Sequence, residues 1–201
     1  CGASDAPGPL DGIATMERES ADILVLQASY TNPVHAEAIG VVLNAYAQDA
    51  MGGGHALPED ILLQLPGELA KRPHAFSVLA FVDGAPAGLV NCFEGFSTFA
   101  CRPLVNVHDV SVMPQFRGLG LSQKMLQKVE DIARQRGCCK ITLEVLEGNA
   151  VAQASYDKFG FAAGMFGPAC AATTLFPVMN AIIRSTSFSK TGETFSRRRA
   201  A

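Results

Sequence analysis

Between residues 33 and 48 the apolar side chains Ala36, Ile39, Val42, Leu43 and Tyr46 recur at spacings of three and four, the signature of one helix face. Asn32 precedes this run as a cap, and Pro33 takes the first helical position, where a missing N–H costs nothing. Residues 23–28 before it read as a strand. Met51-Gly52-Gly53-Gly54 reads as a loop. A second helical stretch opens at Pro58 with Ile61, Leu62, Leu65 and Leu69 on one side, and Pro66-Gly67 predicts a break within it. Residues 76–82 and 87–96 form two extended runs joined by Asp83-Gly84-Ala85-Pro86, which predicts a hairpin. A further strand covers residues 104–113 and stops at Pro114. Residues 119–136 carry the strongest helical stripe, namely Leu121, Met125, Leu126, Val129, Ile132 and Ala133, closed by Gly137. Residues 140–146 read as a strand, and Asn149 caps a short helix that ends at Gly160. The order β-α-α-β-β-β-α-β-α predicts an α/β chain with antiparallel hairpins and one crossover.

The ends of the chain lack such periodicity. Residues 1–20 are expected to be a disordered leader and residues 185–201 a disordered tail, which leaves one domain over 21–184. Residues 1–15 contain neither Lys nor Arg and no long apolar run, so no signal peptide is expected there. Residues 159–183 carry no charge, yet Gly160, Gly164, Gly167, Pro168 and Pro177 interrupt them. Short buried strands fit that composition better than a spanning helix; a membrane-held protein is the alternative it leaves.

Composition narrows the function classes. Of the 201 residues, 48% are hydrophobic and 17% charged, with a net charge of −3. That is too apolar for a disordered chain and lacks the excess of basic residues that nucleic-acid binding requires. The six cysteines and four histidines form no metal-ligand spacing. Reduced thiols, a cytoplasmic location and no metal are expected.

Candidate chemistry concentrates in V-S-V-M-P-Q-F-R-G-L-G-L-S, residues 110–122. A strand runs through a turn containing Gly118 and Gly120 directly into the best helix. Unpaired N–H groups and the positive end of the helix dipole at such a terminus suit a diphosphate. Neither a Walker loop nor the third glycine of a dinucleotide fingerprint is present.

The spacing Gln115-x-x-Gly118-x-Gly120 resembles the acetyl-CoA motif of the GNAT superfamily of N-acetyltransferases. Asn149, Tyr156 seven residues later, and Phe159-Gly160-Phe161 resemble that family's second signature. The likeness spans about residues 22–165. It implies a GNAT fold: a mixed, mostly antiparallel central sheet flanked by helices, with a splayed strand pair that binds CoA. It implies acetyl-CoA as cosubstrate, a primary amine of a small molecule or peptide as acceptor, and direct transfer between them. Val110, Ser111 and Val112 would pair with pantetheine. Backbone amides of Gln115, Phe116, Arg117, Gly118, Leu119 and Gly120, with Leu121 and Ser122, would hold the diphosphate. Asn149 would bond the pantetheine arm, and Tyr156 would protonate the leaving thiolate.

His108 and Asp109 are the candidates for the base, and strand alternation would turn only one of them toward the amine unless a bulge intervenes. Glu94 and Glu144 are the alternates. Tyr46, Asp49, the Met51-Gly52-Gly53-Gly54 loop, Glu94, Phe96 and Phe99 are the expected acceptor pocket. Residues 162–184 depart from the family pattern; a final strand is expected near 174–183, irregular or lost, and a homodimer stays open with it. A non-catalytic CoA-binding or regulatory module on the same fold is the alternative function. No nucleic-acid or membrane partner is expected.

Overall fold

Five strands and four helices follow one another in the order the periodicity predicts. The computed structural model describes residues 21–146, 148–163 and 178–184. The expected leader, the tail and residues 164–177 lie outside them. The strands β1 (Ile23–Gln27), β2 (Ala75–Val82), β3 (Ala85–Ser97) and β4 (Arg102–Val112) pair antiparallel in that order. Beside β4 lies β5 (Lys140–Leu146), parallel to it because a helical crossover separates the two. Two further strands, β6 (Ala162–Ala163) and β7 (Val178–Arg184), extend the sheet in the order β1-β2-β3-β4-β5-β7-β6. The sheet is therefore mixed: the long ladders from β1 to β4 are antiparallel, and every pairing beyond β4 is parallel. A final strand does form, displaced a few residues from its expected place.

The helix α1 (Pro33–Gln48) begins as predicted, with the Asn32 carboxamide oxygen accepting from the amides of Val34 and His35. Its residues Ala38, Ile39 and Val42 are buried with Leu79, Phe81 and Leu89 on one face of the sheet. The helix α2 (Glu59–Ala70) packs beside it and runs unbroken through Pro66. The predicted break is absent because Pro66 and Leu69 are buried; packing offsets the hydrogen bond that a proline removes. The hairpin between β2 and β3 is also tighter than expected. Val82 pairs with Ala85, so Asp83 and Gly84, both at positive φ, make a two-residue turn, and Ala85 and Pro86 belong to the strand.

The opposite face is covered by α3 (Leu121–Gln135), whose Leu121, Met125, Leu126, Val129, Ile132 and Ala133 are all buried against Val78, Val90, Val105 and Ile141. α4 (Ala150–Phe159) adds Tyr156 to the same core. α3 starts at Leu121, the first residue of the stripe and two residues after the expected start at 119, because a 3₁₀ turn at Pro114–Phe116 and the two loop glycines precede it.

Met125 is fully buried beside Gly88. Met125→Ala should lower unfolding stability by about 2–5 kcal/mol, read from urea denaturation; a loss under about 0.5 kcal/mol would contradict this packing.

Candidate active site

The pairing of β4 with β5 covers only Val105, Asn106 and Val107 against Ile141, Thr142 and Leu143. Beyond those residues the strands part. Met113 donates its N–H to the Ala87 oxygen on the β3 side. Strand alternation therefore aims the backbone groups of Val112 and Val110 into the fork. Fulfilling the same geometry, Arg117 Nε approaches the Val112 oxygen at 3.4 Å.

At the mouth of the fork, Gly118 and Gly120 have φ of +87° and +72°. A Cβ at either would meet no neighbour within 4 Å, so backbone conformation and not space requires glycine here. Gly120 is the N-cap of α3 and offers no side-chain oxygen. The amides of Leu121, Ser122 and Gln123 thus have no intrahelical acceptor, and the first turn carries no acidic residue to neutralise them. Ser122 Oγ lies 3.2 Å from Ser155 Oγ, and Gln123 Nε2 donates to the Ser155 oxygen at 2.8 Å. These bonds fasten the start of α3 to α4.

A groove of about 510 Å³ runs from this terminus along the open edge of β4 to α4. It is lined by Val110, Ser111 and Val112 on one side, by Phe116, Arg117, Gly118, Gly120, Leu121 and Ser122 at the loop, and by Asn149 and Tyr156 beyond. Gln115 and Leu119 do not line it; both are exposed. A second cavity of about 90 Å³ lies within the fork between β4 and β5, reaching His108, Leu143 and Glu144. The two share Tyr46, Val110, Asn149, Ala152 and Tyr156. Tyr46 belongs to a helix on one face of the sheet and Tyr156 to one on the other. The fork is the opening through which they meet.

Electrostatics at this junction follow from burial. The Tyr156 phenol is pushed up to about 12, chiefly by burial and secondarily by Tyr46. The Tyr46 phenol is raised too, first by burial and then by the charges of Asp109 and Asp49. Both hydroxyls therefore remain protonated at neutral pH. Asn149 accepts from the Ala152 amide as the cap of α4, which leaves its side-chain N–H₂ for a ligand. Asp49 bonds the Met51 amide and pairs with Arg117 at 3.0 Å, and these contacts hold its carboxyl below the usual range. The ion pair ties the end of α1 to the glycine loop.

The base candidates obey a rule that the sequence leaves open. Asn91 faces Asp109 across β3 and β4, whereas the next β3 residue, Cys92, faces Val107. His108 is thus the extra residue of a bulge. Instead of opposing each other, His108 and Asp109 share a face: the imidazole packs edge-on against Phe93 at 5.6 Å, and Asp109 accepts from Asn91 Nδ2 at 3.0 Å. His108 lines the fork cavity, while Asp109 lines neither cavity but is close enough for its charge to act on Tyr46. Of the alternates, Glu144 lines the fork cavity. Glu94 does not; it pairs with Arg136 at 3.1 Å at the far end of α3.

The expected acceptor pocket is only partly assembled. Tyr46, Asp49 and Met51 line the groove. Phe96 and Phe99 lie exposed near the β3–β4 turn, Phe99 at 98%, and neither reaches the cavities. Asn91 and Ser77 line neither cavity, but they are buried polar residues bonded in series to Asp109 that periodicity does not flag. Their one signal is a polar residue at mid-strand in otherwise apolar runs.

Comparison with known proteins points the same way. The family model described as the Acetyltransferase (GNAT) family matches residues 42–161. A thialysine N-epsilon-acetyltransferase of Caenorhabditis elegans is 33% identical over 91 residues, which is 45% of this chain and 55% of that protein. A streptothricin acetyltransferase of Streptomyces lavendulae is 35% identical over 80 residues, 40% of each. The chain thus spans about half or less of the length of these relatives. Among solved structures, the aminoglycoside N-acetyltransferase AAC(6′)-Iy in complex with CoA superposes with a TM-score of 0.59 at 20% identity, covering 77% of this chain and 99% of that one. A probable acetyltransferase gives a TM-score of 0.63 at 19% identity over 75% of this chain and 98% of that one. These two likenesses establish the fold.

Because the left-handed φ of residue 120 costs any L side chain about 1–2 kcal/mol, Gly120→Val should move the α3 amides. Affinity for CoA should fall at least about tenfold by calorimetry, with helix content unchanged by circular dichroism. Unaltered affinity would exclude this turn from the binding site.

Proposed function

The chain belongs to the GNAT family of acetyltransferases, and from that premise we propose that it transfers an acetyl group from acetyl-CoA directly to a primary amine of a small molecule or peptide. The observation that carries the proposal is the continuous path from the α3 N-terminus, along the unpaired edge of β4, to Tyr156 in the fork. A CoA diphosphate would lie on the amides of the Gly118–Gly120 turn and the first turn of α3, with Arg117 beside it. Pantetheine would add to the β4 edge at Val110 and Val112 as a further strand, with the Asn149 N–H₂ as an additional donor. The thioester would then reach the junction shared by the two cavities.

The acceptor arrives as an ammonium ion and must lose a proton before its nitrogen lone pair can attack the carbonyl carbon. His108 and Asp109, brought to one face by the bulge, supply two proton acceptors. His108 faces the fork directly, and Asp109 serves through a water beside Tyr46. Attack forms the C–N bond and an oxyanion, which a β4 amide pointing into the fork, near Val110, would stabilise. Collapse breaks the C–S bond and leaves the CoA thiolate. Tyr156, with its phenol pushed up to about 12, is protonated at neutral pH. Full transfer to a thiol whose ordinary value is about 8.5 is uphill, so its hydroxyl acts mainly as a hydrogen-bond donor to the departing sulfur. The negative side chains His108 has for neighbours, Asp109 and Glu144, suit a cationic acceptor. Two relatives are named as a thialysine N-epsilon-acetyltransferase and a streptothricin acetyltransferase, and the nitrogen named in the first supports the same class of acceptor.

Free CoA release is measured across a panel of polyamines, lysine analogues, aminoglycosides and peptides. At least one amine should give saturable turnover. With that amine, Tyr156→Phe should lower kcat by about 10–100-fold while acetyl-CoA affinity changes less than about threefold. The wild-type rate should show no loss from ionisation of this hydroxyl below about pH 11. An unchanged kcat in Tyr156→Phe would remove the residue from the mechanism, and binding without turnover on any amine would favour the CoA-binding module.

A further inference from the structure

Ser77, Asn91 and Asp109 lie in one row across three adjacent strands, Ser77 opposite Asn91 and Asn91 opposite Asp109. Ser77 is 0% and Asn91 5% exposed, in strands otherwise filled with apolar side chains. Their hydrogen bonds form an unbroken series. Tyr30 OH lies 3.0 Å from Ser77 Oγ, Ser77 Oγ donates to Asn91 Oδ1 at 2.7 Å, and Asn91 Nδ2 donates to Asp109 Oδ2 at 3.0 Å.

The direction of every bond in the series is forced. An ionised carboxylate can only accept, so the Asn91 amide must present N–H₂ to Asp109 and its oxygen to Ser77. Ser77 has one hydroxyl proton and spends it on Asn91. Tyr30 is then the donor to Ser77. Three donors point one way and end on Asp109, and each polarises the next. A purely structural use of Ser77 and Asn91 is a poor explanation, because burying two polar side chains where valine would fit brings little or no net stability. The series makes sense if what it fixes is the carboxylate.

We propose that Asn91 is a positioning residue for proton abstraction in the acetyl transfer, holding the Asp109 carboxylate in one rotamer, with Ser77 and Tyr30 locking Asn91 in turn. The bond to Oδ2 leaves Oδ1 as the oxygen that takes the proton. The arrangement selects Asp109 over His108 as the terminal acceptor and so deepens the reading above, on which it rests. An amide cannot relay protons readily, so the series orients the carboxylate and does not conduct.

A double-mutant cycle tests this, using the amine that gives turnover and the full chain. Asn91→Leu should lower kcat by about tenfold or more while calorimetric affinity for acetyl-CoA stays within about twofold. In an Asp109→Asn background, the same substitution should cost less than about twofold in kcat, because the group it positions is already gone. Should Asn91→Leu fail to fold, Tyr30→Phe removes a single distant hydroxyl. It should lower kcat by about two- to fivefold, and that loss should likewise vanish beside Asp109→Asn. Equal losses in both backgrounds would mean a structural role only and overturn the inference. A wild-type rate in Asp109→Asn would overturn it as well, yet leave acetyl transfer intact with His108 as base; absence of any acetyl-CoA binding would instead sink the transferase reading.

Discussion

Everything at the candidate site depends on how briefly β4 and β5 pair. Three residues of parallel ladder join them, and past Val107 no strand of the described residues satisfies the fork-facing edge of β4. Buried backbone N–H and C=O groups require partners. A fork left open in the middle of a sheet is therefore an invitation to a ligand with peptide-like amides. The same opening lets Tyr46 and Tyr156 meet from opposite faces, and it places the α3 N-terminus at one end of a continuous groove.

What keeps the fork open without unravelling the sheet is packing on both sides. The stripe on α3 is buried against β2, β3, β4 and β5 at once, while α1 holds the other face. The bonds from Ser122 and Gln123 to Ser155 set α4 against α3, and the Arg117–Asp49 pair sets the end of α1 against the glycine loop. That exposed pair contributes little to stability, at most about 1 kcal/mol. Its consequence is positional, since both residues line the groove.

Most elements and much of the groove were legible in the order of residues. Periodicity located α1 and β5 to the residue, and Asn32, Asn149 and Gly160 mark helix ends that the structure reproduces. Gly118, Gly120 and Asn149 were legible because backbone conformation and helix capping restrict those positions to few residue types, whereas Tyr156 was marked only by the family resemblance. Register was not legible. The bulge at His108 arises from a one-residue offset between β3 and β4, and strand sequences carry no local mark of it. The partner of Glu94, an alternate for the base, was hidden for a related reason, since its salt bridge with Arg136 depends on where α3 ends in space. The row Ser77–Asn91–Asp109 likewise exists only once three strands have been aligned. Pro66 shows the opposite failure: a strong local breaker signal is overridden by burial.

The central claim is that amides at the start of α3 and on the open edge of β4 hold the diphosphate and pantetheine of CoA. Backbone amide chemical shifts of the isotopically labelled chain, followed during titration with CoA, test it most directly. The account predicts that Gly118, Gly120, Leu121, Ser122, Val110 and Val112 shift most and saturate together. Shifts confined to other segments, with these amides unmoved at saturation, would contradict it.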